Sequence, residues 1–312
     1  MAKSTISAKQ TKVRQHIPLA PYLFLIPWFF GIAIFRIYPL FRSGWESVHN
    51  FNPILRAQGH PNAGQFVGFQ HYIHLFTTDT VFWDSVRATL QYVLIGTPAV
   101  LVTALFIAYV LNFNLKGVNF FRTAYYVPSI LGGNVAVSIL WRQMFAPNGL
   151  INAILGALGV EPILWLIDPT FTPFTLIFLS AWQFGSVMLI FLAALQNVSP
   201  SLYEAASIDG ARKFRQFISI TIPIITPMIL FNTVNVLLRH FQEFNAAFLI
   251  PDSPGGPLNA TRFLNLYIYQ IAFTGTPDFG LASALTWILL LVIGSLSAII
   301  FFSSKHWVHY ND

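Results

Sequence analysis

Apolar runs of about 20 residues, each long enough to cross roughly 30 Å of hydrocarbon, recur along this chain and leave it few soluble alternatives. They lie at about residues 18–40, 91–112, 124–141, 173–195, 223–238 and 281–302. Only 9% of the 312 residues are charged, against about 25% in ordinary soluble domains, so a water-facing surface could not be covered. The expected fold is therefore all-α and polytopic, with six predicted transmembrane helices. Two runs are interrupted. The third carries Pro128 and the Gly132-Gly133 pair, and the fifth runs into Arg239 and His240. Such breaks are tolerated where neighbouring helices or a wet cavity satisfy the freed backbone. Residues 18–40 are too long for a signal-peptide core and lack a small-residue cleavage site, so they read as a retained first span.

The formal charge of +6 is spread along loops instead of one face, which points to membrane topology and not to nucleic acid. If the spans alternate, one side carries Lys3, Lys9, Lys12, Arg14, Lys116, Arg122, Arg212, Lys213, Arg215 and Lys305, with only Glu204, Asp209 and Asp312 as acids. The other side holds Glu46, Asp79, Asp84, Glu161, Asp168, Glu243, Asp252 and Asp278. The positive-inside rule makes the basic side cytoplasmic, which puts both termini in the cytoplasm. Cysteine is absent, so neither disulfides nor thiolate metal sites are possible. His71 and His74 could share a face, but no metal set is completed; the histidines read as interfacial.

Between the fourth and fifth spans lies a polar island on the basic side, at residues 201–223. Ser201 and Glu204 have capping-box spacing, while Ser199 followed by Pro200 is a competing helix start. Gly210 can take positive φ and turn the chain into a second helical stretch bearing Arg212, Lys213 and Arg215. A helix–turn–helix knob below the membrane is the expected product. Its bland reading is a solvated loop in which Glu204 only caps its own helix. No Gly-x-x-x-x-Gly-Lys-[Ser/Thr] phosphate cradle occurs, so ATP chemistry is not expected from this chain.

Glu204-Ala205-Ala206, Gly210, Ile220 and Pro223 fall at the spacings of the EAA loop of ABC importer permeases, with Ile222 where that pattern has Leu. The stretch resembles that loop. Phe66, Val67, Gly68 and Tyr72, residues 120–129, residues 141–145 and residues 149–156 are similar to the first permease subunit of carbohydrate importers of the maltose, lactose and glycerol-phosphate type. Tyr22, Pro27, Tyr38 and Pro39 extend the likeness towards the N-terminus. The resemblance implies a cytoplasmic N-terminal segment (1–17), a first transmembrane helix with an external loop (18–85), a permease core (86–305) with its coupling loop at 197–222, and a cytoplasmic C-terminus (306–312). It implies a bacterial or archaeal cytoplasmic membrane and a non-enzymatic role, with no cofactor on this chain and ATP/Mg on a partner. The implied partners are a second homologous permease, an ATP-binding cassette ATPase dimer, an extracytoplasmic solute-binding protein, membrane lipid and a carbohydrate substrate. Glu204, Ala205, Ala206 and Gly210 would make the ATPase contact, with Asp209 and Arg212 in support.

A translocation path needs polar groups within the membrane. Asn232, Asn235 and Arg239 occur at i, i+3 and i+7, so one helical face is expected, prolonged by Gln242 and Glu243. Trp182 and Gln183 set an aromatic surface beside an amide on the fourth span, chemistry that suits sugars. The alternative is that the asparagines are inter-helix glue and that Arg239 snorkels to the interface. An ion-driven secondary transporter would instead carry buried acids in its spans, and the six runs contain none. A membrane enzyme would need a His, Asp or Glu cluster near one interface, which is also missing from the pattern.

Overall fold

A computed structural model describes residues 20–61, 63–113, 116–131 and 135–309. Contacts divide the chain into two units, one through Trp45 and one from Glu46. The first is a rod: α1 (Ala20–Ile32), a π-helical turn (Ala33–Ile37) and α2 (Tyr38–Glu46), apolar and without buried residues over its span. The basic segment before residue 20, and Gly132-Gly133, lie outside the described residues.

In the second unit, α3 (Pro53–Ala57) and α4 (Gln70–Thr77) precede α5 (Thr80–Leu111), the longest helix. Then come α6 (Val118–Leu131), α7 (Val135–Met144), α8 (Leu150–Ala157), α9 (Thr172–Trp182) and α10 (Gly185–Gln196). The chain continues through α11 (Pro200–Ile208), α12 (Lys213–Gln216), a π-helical turn (Phe217–Thr221) and α13 (Ile222–Phe241). It closes with α14 (Asn245–Leu249), α15 (Leu264–Phe273) and α16 (Phe279–Ser304). Among the described residues the extended structure is one antiparallel bridge, His49 to Phe66.

Helix α5 is the central strut, packed by α9, α10, α13 and α15. Small buried residues on it (Ala88, Gly96, Ala104 and Ala108) let neighbouring backbones approach, the usual means of joining helices in lipid. Its first turn is held by Asp79, whose Oδ1 accepts from the Phe82 amide at 3.0 Å. The other Asp79 oxygen accepts from the Tyr267 hydroxyl, tying α15 to the same end. Burial, then the bond to the Asp79 carboxylate, raises the Tyr267 pKa above its ordinary value, so the phenol remains the donor. Buried Thr89 adds an acceptor for the Leu264 amide at 2.9 Å.

Two spans differ from the single helices expected. The third consists of α6 and α7, with axes 103° apart, and the fourth consists of α9 and α10, bent by 45°. In the fourth, Gln183 closes α9, its amide reaching the Leu179 and Ser180 carbonyls at 3.2 and 3.1 Å. Gly185 then opens α10, where an added Cβ would sit 2.6 Å from the Tyr125 carbonyl oxygen and 2.7 Å from Ser129 Oγ. At the break α6 and α10 therefore come into close backbone contact, and only glycine fits.

Candidate functional site: an exposed knob and a polar cavity

The knob forms as a helix–turn–helix, but its start is the competing one. Ser199 is the N-cap residue, Pro200 occupies the first turn, and no side chain caps the helix. The Ser201–Glu204 capping box does not form. Ser201 already lies inside the first turn, behind Pro200, and its Oγ is 2.8 Å from Ser199 Oγ. Glu204 is thus left exposed on the helix surface.

At the other end of α11, Gly210 has φ of +77°. Its amide donates to the Ser207 carbonyl at 3.1 Å, and the Ala211 amide donates to the Ala206 carbonyl at 2.9 Å. That pair is the Schellman closure, which needs a left-handed residue at this point. Gln216 pins the two arms together, donating to Ser207 Oγ at 2.9 Å and to the Ala211 carbonyl at 3.0 Å. Tyr203 reaches back to Thr221, with hydroxyls 2.8 Å apart. Glu204, Ala205, Asp209, Gly210 and Arg212 are exposed and Ala206 is half-buried. Ile208 and Phe214 are 87% and 77% exposed, large apolar side chains bared on a polar knob. Such a surface has the character of an interface.

Near the opposite end of α13 lies a cavity of about 330 Å³, lined by Tyr92, Ser180, Gln183, Arg239, Gln242 and Glu243 among others. Its wall draws on α5, α6, α7, α9 and α13 and on the segment after α13. Glu243 Oε1 accepts from the Ala246 amide at 2.9 Å and so fixes the start of α14.

His240 organises this wall and is not interfacial, contrary to the expectation for the histidines as a set. It is buried, with Nδ1 2.9 Å from Thr97 Oγ1 and Nε2 2.6 Å from Ser180 Oγ. One imidazole therefore bridges α5, α9 and α13. The Tyr92 ring lies 4.9 Å from it, and a Cβ on Gly96 would come within 3.2 Å of it. The signal available in the sequence was period: Asn232, Val236 and His240 recur every four residues and are all buried.

The expected stripe on α13 does not hold together as one face. Arg239 borders the cavity, but Asn232 is buried, with its Nδ2 lacking a partner. Asn235 donates to the Phe231 carbonyl at 2.8 Å and faces a separate groove with Phe231 and Phe301. The edge of the buried face runs between the two asparagines. On the fourth span Gln183 lines the cavity, and Trp182 stands exposed at the end of α9. His71 and His74 are apart from this region; His71 Nε2 lies 3.1 Å from the His49 carbonyl oxygen. No group of three metal-ligating side chains occurs among the described residues.

Comparison with known proteins places this geometry. Residues 81–307 match the family described as the binding-protein-dependent transport system inner membrane component. A probable ABC transporter permease protein of Bacillus subtilis (strain 168), YesP, is 42% identical over 94% of this chain and 93% of its own length. The lactose transport system permease protein LacF of Rhizobium radiobacter is 32% identical over 96% of this chain and 98% of its own. Among solved structures, a chain of a bacterial alginate ABC transporter, in complex with alginate pentasaccharide-bound periplasmic protein, superposes with a TM-score of 0.77. It shares 20% identity, covering 92% of this chain and 94% of that one.

Proposed function

We propose a function that proceeds from one fact: this chain belongs to the family of inner membrane components of binding-protein-dependent transport systems. It is the permease subunit of an ABC importer, and its cargo is a sugar or oligosaccharide. The relative named for lactose transport supports a hydroxylated, sugar-type cargo. So does a cavity that offers an amide, a guanidinium, a carboxylate and aromatic surface.

The observation that carries the mechanism is the Schellman-closed knob with Glu204 exposed and Gly210 at positive φ. A separate ATPase dimer takes hold of α11, and its closure is passed to α13, whose helix begins in the knob. A second permease completes the path, and an external binding protein delivers the cargo. The knob and both termini lie in the cytoplasm, a placement that the charge asymmetry supports.

The importer, purified from its native membrane with its associated subunits, tests this. Glu204→Lys or Gly210→Pro should lower uptake by more than about 100-fold and leave ATP hydrolysis indifferent to the binding protein. Proline at 210 cannot adopt positive φ, and it deletes the amide that closes the turn. Wild-type uptake with wild-type ATPase coupling in both variants overturns the assignment.

A further inference from the structure

One helical face of α9 is aromatic throughout and exposed: Phe171, Phe174, Phe178 and Trp182, at i, i+3, i+7 and i+11. It runs from the helix start to the break at Gln183, whose side chain lines the cavity. On α5 and α16 the exposed positions are mixed, aliphatic at Leu90, Leu94, Ile95, Val102, Leu290 and Leu291 but aromatic at Phe106, Phe301 and Phe302. The α9 line is set apart by its end, since it stops at Gln183 in the wall of the cavity.

The stripe is also braced from behind. Trp141 is 5% exposed and anchored by its Nε1, which donates to the Thr175 carbonyl at 3.2 Å. Its ring meets both Trp182 and Phe178 at 5.7 Å between centroids. Phe178 and Trp182 nonetheless remain 58% and 38% exposed. An inner aromatic tier thus orients an outer tier while leaving it open. Successive rings at four-residue spacing stand about 6 Å apart along the helix, comparable to one sugar ring in an extended chain.

We propose that Phe174, Phe178 and Trp182 form a stacking track along which an oligosaccharide passes from the outer end of α9 into the cavity at Gln183. This rests on the carbohydrate reading above and deepens it, because a track of several rings selects cargo longer than a disaccharide. The C–H faces of sugar rings pack on the open aromatic faces, and the hydroxyls stay turned towards water.

The chain contains no cysteine, so single-cysteine variants give a clean test in the intact importer. Phe178→Cys should react with a membrane-impermeant cationic methanethiosulfonate from the outside at least tenfold faster than Leu94→Cys or Leu291→Cys. Reaction as slow as those lipid-facing controls overturns the proposal whatever the cargo. In uptake of radiolabelled neutral and uronic oligosaccharides of two to six rings, Phe178→Leu should raise KM about tenfold for four rings or more, the cost of one lost stacking contact. Disaccharide uptake should stay within twofold, and Phe178→Tyr should restore the long cargo. Equal effects at all lengths, or a leucine variant as good as wild type, also overturn it. Failure of the importer reading would instead appear as normal coupling in Glu204→Lys, an independent readout.

Discussion

The knob and the cavity are built by opposite means. The knob is mostly local: between Ser199 and Thr221 its start, turn and hydrogen-bonded bracing come from neighbours in sequence, with Phe217 resting against Tyr109 of α5. The cavity is assembled from stretches as distant as Tyr92 and Glu243, and its central clamp joins Thr97 to His240 across 143 positions. A local device can be altered without loosening the bundle, whereas the clamp and the packing around it carry stability and site geometry together. On the proposed function, cargo binding falls where the fold is the more interdependent and coupling to energy where it is the less so.

The largest effect is expected at Gly185. Gly185→Leu drives a side chain into the Tyr125 backbone, which should destabilise the bundle by about 3 kcal/mol. Thermal unfolding in nanodiscs should shift, and uptake should fall with it. His240→Ala leaves the Thr97 and Ser180 hydroxyls without their shared partner, an expected loss of about 2 kcal/mol. Thermal stability and uptake should again decline in parallel; a variant that loses one alone would separate what the clamp joins. Gln216→Ala removes the bond between the arms of the knob and should cost about 1 kcal/mol locally. Here the melting of the bundle should stay unchanged while binding-protein-stimulated ATP hydrolysis drops severalfold. A fall in melting temperature would show that the knob is not independent after all.

The same contrast decides what could be read from the sequence. Pro200 and Gly210 act on their own backbone, so the helix start near 200 and the turn at 210 were visible. The choice between Ser199 and Ser201 as the cap was not, because both spacings satisfy the rule. Spans were legible from length, yet their breaks were not. Gln183 and Gly185 sit in an unbroken apolar run, and only the approach of α6 shows why glycine is needed. The α13 stripe had the right period, but which side of it is buried depends on α5 and α10. His240 was misjudged for that reason: its partners are hydroxyls that sequence distance hides.

From Lys213 through the π-helical turn to Phe241 the helical course is unbroken. The knob's second arm and the span that carries Arg239 are a single lever. Between residues 213 and 239 it measures about 39 Å at the usual rise. A tilt of about 5° about the lower end therefore carries the far end through about 3 Å, the length of a hydrogen bond. Motion at the root need only be small to exchange one set of partners for another at the tip.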